Sequence, residues 1–190
     1  NGTPRDGKGE YEQGRFISCR FINTGDYGVR MDQYSDKYLF YRCHFEGQRK
    51  GGLYCTRIVH FHGGVYQSTF KNINGPGVAF YGGANNVGYG PWTIAVDNNT
   101  FTECGNEQEA AVDMGYSYNS AFTNNKIVTQ SKTILTGYKG NISILENVEV
   151  DVKAKDNVVM WVGHQRYERT SGIGITRLKN VDAKTGDILL

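Results

Sequence analysis

The chain has 190 residues, of which 38% are apolar and 21% are charged, and its net charge is +2. This length suits a single soluble domain, and the balance of apolar and charged side chains excludes a disordered tail. Charges of both signs are interspersed without a basic stripe, and no run approaches the roughly 20 apolar residues of a membrane span, so neither nucleic-acid binding nor membrane insertion is expected.

The predicted elements are short strands that recur along the chain. The 25 Gly, 13 Tyr and 9 Phe residues favour strands separated by tight turns. One recurring segment ends in an apolar anchor residue, and the anchors are Phe21, Phe45, Phe70, Phe101 and Ile127, with weaker copies at Val148 and Val181. Their spacing averages about 27 residues, within the range that indicates a solenoid or a repeat array.

Two further apolar columns keep step with the anchors. A second strand follows each anchor, at residues 29–31, 53–55, 78–80, 112–114, 134–136, 158–160 and 188–190. A third column lies five residues before the anchors, at Phe16, Phe40, Val65, Val96 and Phe122. Three columns at a constant register predict an all-β protein, a right-handed parallel β-helix of about seven coils, because equivalent residues of successive coils stack.

We expect residues 1–190 to form one β-helix domain whose pattern weakens after about residue 148. The chain begins at Asn1 without Met and ends on the apolar pair Leu189 and Leu190, which is unusual for a capped solenoid. It is therefore expected to be a fragment of a longer chain. A solenoid this short is also expected to gain support from flanking sequence, from neighbouring chains or from a homo-oligomer.

A column two residues before the anchors is small and polar, and it consists of Cys19, Cys43, Ser68, Asn99 and Asn125. At a tight internal bend, Asn side chains can hydrogen-bond the coils above and below. Cys19, Cys43 and Cys55 fall in inward columns and Cys104 in a predicted loop, so free buried thiols are favoured over a disulfide.

The segments Asn98 to Phe101 and Asn124 to Ile127, with the cysteine-containing copies at Cys19 and Cys43, resemble the repeats of the pectin-lyase-like superfamily of right-handed parallel β-helices. That superfamily includes polysaccharide lyases, hydrolases and epimerases as well as phage tailspikes, so the resemblance implies a surface that faces carbohydrate. The calcium-binding aspartates of pectate lyases have no matching cluster here. The resemblance therefore implies no cofactor, leaves Ca²⁺ open and transfers no catalytic residue.

Outward residues of the second strand are the candidate substrate-binding surface. On consecutive coils the period-two pattern points them to one side. The set consists of Arg30, Asp32, Tyr54, Thr56, Arg57, Tyr81, Asp113 and Tyr116. Trp92, in a Gly-rich insertion at residues 82–92, joins it if that loop grips a glycan, although the loop could equally pack against a subunit. Tyr and Arg side chains bind sugars well, but the same residues could simply cover a solvated sheet.

Candidate catalytic groups are Glu109, Asp113, Arg57 and His60. Glu109 and Asp113 belong to the densest carboxylate cluster and could act as the acid and the base or nucleophile of a glycosidase. His60, which shares a face with His62, could act as a base beside Arg57 in a lyase. Solvated charges are the alternative, and no metal site is predicted because the histidine pair lacks a third ligand.

The first functional hypothesis is a carbohydrate-directed β-helix at an extracellular or virion surface, which recognises polysaccharide and whose cleavage of it is left open. If it is an enzyme, it is a polysaccharide lyase or a glycoside hydrolase. The second hypothesis is a non-catalytic structural β-helix of a surface or virion assembly, whose side faces bind sister chains.

Overall fold

A computed structural model describes residues 12–32, 35–56, 63–81, 94–114, 120–129, 131, 133–137, 142–146, 148–152, 158–162 and 165–166. Every regular element in these ranges is a β-strand. Each strand is short because a turn interrupts the chain after a few residues, as the many Gly and Asn residues favour.

The strands form three sheets, each of which takes one strand from every coil. The first sheet contains β1 (Glu12–Ile17), β4 (Ser35–Tyr41), β7 (Gly63–Tyr66), β10 (Ile94–Asp97), β13 (Ser120–Thr123) and β16 (Ile142–Glu146). The second contains β2 (Arg20–Ile22), β5 (His44–Glu46), β8 (Thr69–Ile73), β11 (Thr100–Cys104), β14 (Lys126–Thr129) and β17 (Glu149–Val152). The third contains β3 (Tyr27–Asp32), β6 (Gly51–Thr56), β9 (Val78–Tyr81), β12 (Val112–Asp113), β15 (Thr133–Gly137) and β18 (Val158–Val162), with β19 (Gln165–Arg166) antiparallel to β18.

Neighbouring strands from β1 to β18 pair in parallel, each with its equivalent in the next coil. This arrangement is a parallel β-helix, which confirms the predicted fold. The coil number differs from the prediction, because the described strands form six coils rather than about seven. The predicted seventh coil rests on residues 178–190, which lie outside the described residues.

Aromatic stacking holds the interior together. The anchor rings of the second sheet stack with centroid distances of 4.7 Å for Phe21 and Phe45, 4.8 Å for Phe45 and Phe70, and 4.9 Å for Phe70 and Phe101. These distances match the roughly 4.8 Å between neighbouring strands. A register that keeps like residues adjacent thus turns the sequence repeat into a continuous core column.

The polar column lies at the turn between the first and second sheets, as predicted. Asn125 Oδ1 accepts the Asn99 N–H at 2.9 Å, Asn99 Oδ1 accepts the Ser68 N–H at 2.9 Å, and Ser68 Oγ accepts the Cys43 N–H at 3.0 Å. The residue before each member has positive φ, between 49° and 55°, at Ser18, Arg42, Gln67, Asn98 and Asn124. The side chains therefore link neighbouring coils at the two-residue bend that, within each coil, joins the strand of the first sheet to the strand of the second.

A column of very small residues opens the third sheet, at Gly28, Gly52, Gly77 and Ala111. A Cβ atom on Gly28 would lie 2.6 Å from the Phe45 ring, and one on Gly77 would lie 2.6 Å from the Phe101 ring. The backbone of each coil thus passes directly over the stacked rings of the second sheet. The signal in the sequence is a Gly before the apolar strand in the first three coils and an Ala in the fourth.

The register of the last coils differs from the prediction. Val150 pairs with Ile127, so the anchor predicted at Val148 is wrong by two residues. In the third sheet Leu135, rather than Ile134, pairs with Val112, and Met160, rather than Val158, pairs with Leu135. Adjacent apolar residues made the two registers look alike, and a one-residue shift exchanges the inward and outward faces.

All four cysteines are free thiols, as predicted. Cys104, however, is the last residue of β11 and is buried, so its predicted loop position is wrong. Burial raises the pKa of the Cys104 thiol to about 12 and also raises the pKa of the Cys43 thiol. Because the thiolate is the reactive form, these two groups are chemically protected.

Thiol accessibility tests this part of the core. In the native protein at pH 8, we expect Ellman's reagent to label half-buried Cys19 first and to leave buried Cys43, Cys55 and Cys104 unlabelled. Labelling of all four is expected in denaturant. Cys19→Ser should remove the fast phase. Labelling of Cys104 in the folded protein at the rate of a free thiol would contradict the core described here.

Candidate functional site

The outer face of the third sheet carries the predicted binding residues in two rows. Strand pairing places Arg30 beside Tyr54, Tyr54 beside Ala79, and Ala79 beside Asp113. A second row of strand positions, two residues further along, contains Asp32, Thr56 and Tyr81, whose backbones pair in that order. The structure therefore brings Arg30, Tyr54 and Asp113 into one line across four coils.

An aromatic pair lies at one end of this line. The ring centroids of Tyr27 and Tyr54 are 4.5 Å apart with an interplanar angle of 42°, and the guanidinium carbon of Arg30 lies 5.6 Å from the Tyr27 centroid. Both tyrosines are partly exposed. Two rings and a cation thus form one surface, within the distance at which a guanidinium is attracted to an aromatic face.

Tyr27 was missed in the sequence because strict alternation from Val29 and Met31 points it inward. The strand turns a corner instead: Gly28 faces the core, where a Cβ would meet the Phe45 ring, and Tyr27 is left on the outer side. In the sequence, such an outward position could be recognised as an aromatic residue directly before the small residue at which the strand turns.

Glu109 lies in the turn between β11 and β12, and local hydrogen bonds fix that turn. Asn106 Nδ2 donates to Glu109 Oε2 at 3.0 Å, while Asn106 Oδ1 accepts the Glu109 N–H at 2.8 Å. Ser131 of the next coil donates its hydroxyl to the Glu109 carbonyl at 3.0 Å. Glu109 is half-buried, whereas Glu107 is exposed. The carboxylate is therefore oriented by its neighbours.

The carboxylates and the aromatic pair share one electrostatic environment. Burial raises the pKa of Tyr54, with further raising contributions from Tyr27, Glu109 and Asp113, while Arg30 opposes them. The negative charges of Glu109 and Asp113 thus favour the neutral form of the Tyr54 hydroxyl. At neutral pH that hydroxyl keeps its proton and remains a hydrogen-bond donor.

Several predicted site residues cannot be placed on this surface. Arg57, His60, Trp92 and Tyr116 lie outside the described residues, as does His62. For Asp32, Thr56 and Tyr81 only the position in the strand is described. Among the residues that the structure does describe, no group of three or more His, Cys, Asp or Glu side chains could hold a metal ion.

The outer face of the second sheet carries an ion-pair cluster. The His44 imidazole contacts Thr69 Oγ1 at 2.6 Å through Nδ1 and Glu46 Oε2 at 3.0 Å through Nε2. Lys71 Nζ lies 3.2 Å from the other Glu46 oxygen. The hydrogen bond from His44, followed by that from Lys71, lowers the pKa of Glu46. Because these groups already bond to one another, the outer face of the third sheet is the better candidate for a ligand-binding site.

The fold and this surface define a parallel β-helix protein with an aromatic and charged outer face. No family model matches the chain, and neither does any curated protein or solved structure with which it was compared. In the part of the chain that is described, no helix is long and apolar enough to cross a bilayer.

Proposed function

We propose that this chain is a carbohydrate-binding β-helix domain and that the outer face of its third sheet holds the saccharide. The observation that carries the proposal is the surface formed by Tyr27, Tyr54 and Arg30, with Asp113 in the same row of the sheet and Glu109 in the turn that precedes the Asp113 strand. The resemblance of the repeats to pectin-lyase-like β-helices supports the same partner. An extracellular or virion-surface location accompanies this proposal.

The chemistry of sugars suits such a surface. A pyranose presents C–H groups on its faces, which pack on tyrosine rings, and hydroxyl groups at its edges. Glu109 and Asp113 can accept hydrogen bonds from those hydroxyls, and Arg30 and the Tyr54 hydroxyl can donate to ring and hydroxyl oxygens. Successive coils lie about 4.8 Å apart. Consecutive sugar units can therefore contact residues of successive coils along one row.

Cleavage would use Glu109 and Asp113 as its two carboxyl groups. A glycosidase needs one carboxyl group as acid and a second as base or nucleophile, on opposite sides of the scissile bond. Glu109 is already oriented by Asn106. A reducing-end assay on any glycan that binds, together with ultraviolet detection of unsaturated products, separates hydrolysis, elimination and plain binding. Glu109→Gln and Asp113→Asn should stop turnover while leaving the glycan bound.

A glycan-array screen followed by calorimetric titration tests the proposal. We expect Tyr54→Ala to weaken glycan binding by about tenfold or more, because the substitution removes the aromatic surface and a hydroxyl donor. The matched control is Tyr41→Ala on the first sheet. Tyr41 is also half-buried, and Arg42 Cζ lies 4.9 Å from its ring centroid, as Arg30 Cζ lies 5.6 Å from the ring of Tyr27 beside Tyr54.

Equal loss of binding in Tyr54→Ala and Tyr41→Ala would count against the third sheet as the site. If the folded protein binds no glycan, the second candidate function gains, namely a structural β-helix that contacts sister chains. The exposed apolar side chains of Ile17 and Ile22, which are 55% and 41% exposed, favour that candidate. Light scattering would then show an oligomer that Ile17→Asn weakens.

A further inference from the structure

Two of the four free cysteines are neighbours in the polar column at the turn between the first and second sheets. Cys19 belongs to the first coil and Cys43 to the second, and the residues that follow them, Arg20 and His44, pair in register. The Cys19 carbonyl accepts the His44 N–H at 2.8 Å. The backbones of the two cysteines are therefore one coil spacing apart, which is about 4.8 Å.

The two thiols point the same way. Cys19 Sγ donates to the Ile17 carbonyl at 3.5 Å, which belongs to the residue two positions earlier. Cys43 Sγ donates to the Tyr41 carbonyl at 3.7 Å in the same manner, and Ile17 and Tyr41 pair in register. Cys43 Sγ also contacts the Phe16 carbonyl at 3.3 Å, so this sulfur faces the coil of Cys19. Because equivalent contacts fix both side chains, the two sulfur atoms repeat the backbone spacing of about 4.8 Å.

This spacing distinguishes between two kinds of sulfur chemistry. A disulfide needs sulfur atoms about 2.05 Å apart, so the pair would have to close by more than half of its separation. A metal ion between two thiolates needs about twice the length of a metal–sulfur bond, which is about 2.3 Å for zinc. Two such bonds in line span about 4.6 Å, close to the spacing of the coils. The pair therefore suits a bridging ion better than a disulfide.

The number and type of ligands select the ion. In the described part of the chain, no third His, Cys, Asp or Glu side chain completes a metal-binding group with the pair. The next residue of the column is Ser68, whose hydroxyl donates to the Tyr66 carbonyl at 2.9 Å. Zinc prefers four ligands, so two sulfurs serve it poorly. Copper(I) is a soft d¹⁰ ion that favours thiolate sulfur, and two thiolates in line satisfy it.

We propose that Cys19 and Cys43 form a two-coordinate site for copper(I). The ion lies between the two sulfur atoms and links the first coil to the second. Both thiols release their protons to solvent when the ion binds, so one Cu⁺ and two thiolates give a complex with one negative charge. The site is independent of the third-sheet surface and of the carbohydrate function proposed for it.

The ion reaches the site through Cys19. Cys19 is half-buried, whereas Cys43 is 2% exposed. A bulky thiol reagent therefore stops at Cys19, but an ion held by the Cys19 sulfur needs no further path, because the Cys43 sulfur lies one coil spacing away. Burial raises the pKa of Cys43, and the Cys19 N–H partly offsets this effect by donating to the Cys43 sulfur.

Competition with a copper(I) chelator tests the proposal. The reduced full chain is titrated without oxygen into the copper(I) complex of bicinchoninate, whose colour reports the copper that stays on the chelator. We expect the protein to take one equivalent, and X-ray absorption at the copper edge should show two sulfur neighbours and no third ligand. Zinc should bind at least about a hundredfold more weakly than copper(I), because two ligands leave half of its coordination unfilled.

Serine substitutions separate the pair from the other thiols. Cys19→Ser and Cys43→Ser each leave a single thiolate and should lower copper(I) affinity at least about a hundredfold. Circular dichroism should show an intact fold in both, since Ser68 already occupies this column. The matched control, Cys104→Ser, should keep full affinity. Cys104 is also buried and its sulfur also bonds to the carbonyl two residues earlier, at 3.7 Å, but it pairs with Ile73 and has no sulfur beside it there.

Several outcomes would overturn the proposal. They are no transfer of copper from bicinchoninate, full affinity in Cys43→Ser, an equal loss of affinity in Cys104→Ser, and a copper site with three or more ligands. Rapid formation of a disulfide between Cys19 and Cys43 in the folded protein on mild oxidation with diamide would also reject it, because the sulfur atoms would then not be held one coil spacing apart.

Discussion

Replacing Asn99 with Ala is expected to lower the free energy of unfolding by about 3 kcal/mol or more. Asn99 is buried, its Oδ1 accepts the Ser68 N–H at 2.9 Å, and its Nδ2 donates to the Val65 carbonyl at 2.8 Å. Alanine removes both partners, and each buried polar group left unsatisfied costs about 1–3 kcal/mol. Urea denaturation followed by circular dichroism should show a lower midpoint with an unchanged slope.

Two controls make this expectation specific. Asn98→Gly alters the neighbouring residue, which is exposed and has φ of +55°, and it should change stability by only a few tenths of a kcal/mol. Asn99→Ser should fall between native protein and Asn99→Ala, because Ser68 already fills the equivalent position of the preceding coil. An Asn99→Ala protein within about 0.5 kcal/mol of the native one would show that the ladder is not stabilising.

The parts of the fold that were predictable are those in which each coil repeats the same contact. Phe45 stacks on Phe70 as Phe70 stacks on Phe101, so the spacing of identical residues in the sequence already contains the interaction. The Asn99 and Asn125 ladder was predictable for the same reason. In a solenoid, residues at equivalent positions of successive repeats contact one another, so the repeat in the sequence already identifies the contacting pairs.

The predicted register was wrong in coils whose second-sheet anchor is no longer Phe. In the fifth and sixth coils the second-sheet anchors are aliphatic, and Val148 and Val150 are both plausible anchors by residue type. Pairing of Val150 with Ile127 places Val148, which is buried, two residues before the anchor, where earlier coils have Ser68 or Asn99. The hydrophobic pattern fits a register with Val148 as the anchor and a register with Val150 as the anchor equally well, and backbone pairing shows that the second is formed.

The candidate sites divide in a similar way. Arg30, Tyr54 and Asp113 fall in one row because side chains alternate along a strand, and this rule holds wherever the strand is straight. Tyr27 departs from it because the chain turns at Gly28.

Gly52→Ala is expected to lower the free energy of unfolding by about 3 kcal/mol, at the upper end of the cost of overpacking a core. The added Cβ atom would lie 2.5 Å from the Gly77 carbonyl oxygen and 2.9 Å from a Phe70 ring carbon. That carbonyl accepts the Leu53 N–H at 2.9 Å. The methyl group can therefore be accommodated only by moving β6 away from β9 or from the stacked rings. Chemical denaturation measures the loss.

The adjacent residue supplies the matched control. A Cβ atom on Gly51 would lie 3.3 Å from the Tyr27 ring, 3.4 Å from the Tyr54 ring and 3.5 Å from the Pro76 carbonyl oxygen, so Gly51→Ala should cost less than about 1 kcal/mol. In the same column as Gly52, the coil after Gly77 already carries Ala111, which is buried. The column therefore tolerates a methyl group only where the spacing to the rings allows it. Equal stability of Gly52→Ala and Gly51→Ala would mean that β6 and the Phe70 ring can separate without loss, and close approach would then not explain the glycine column.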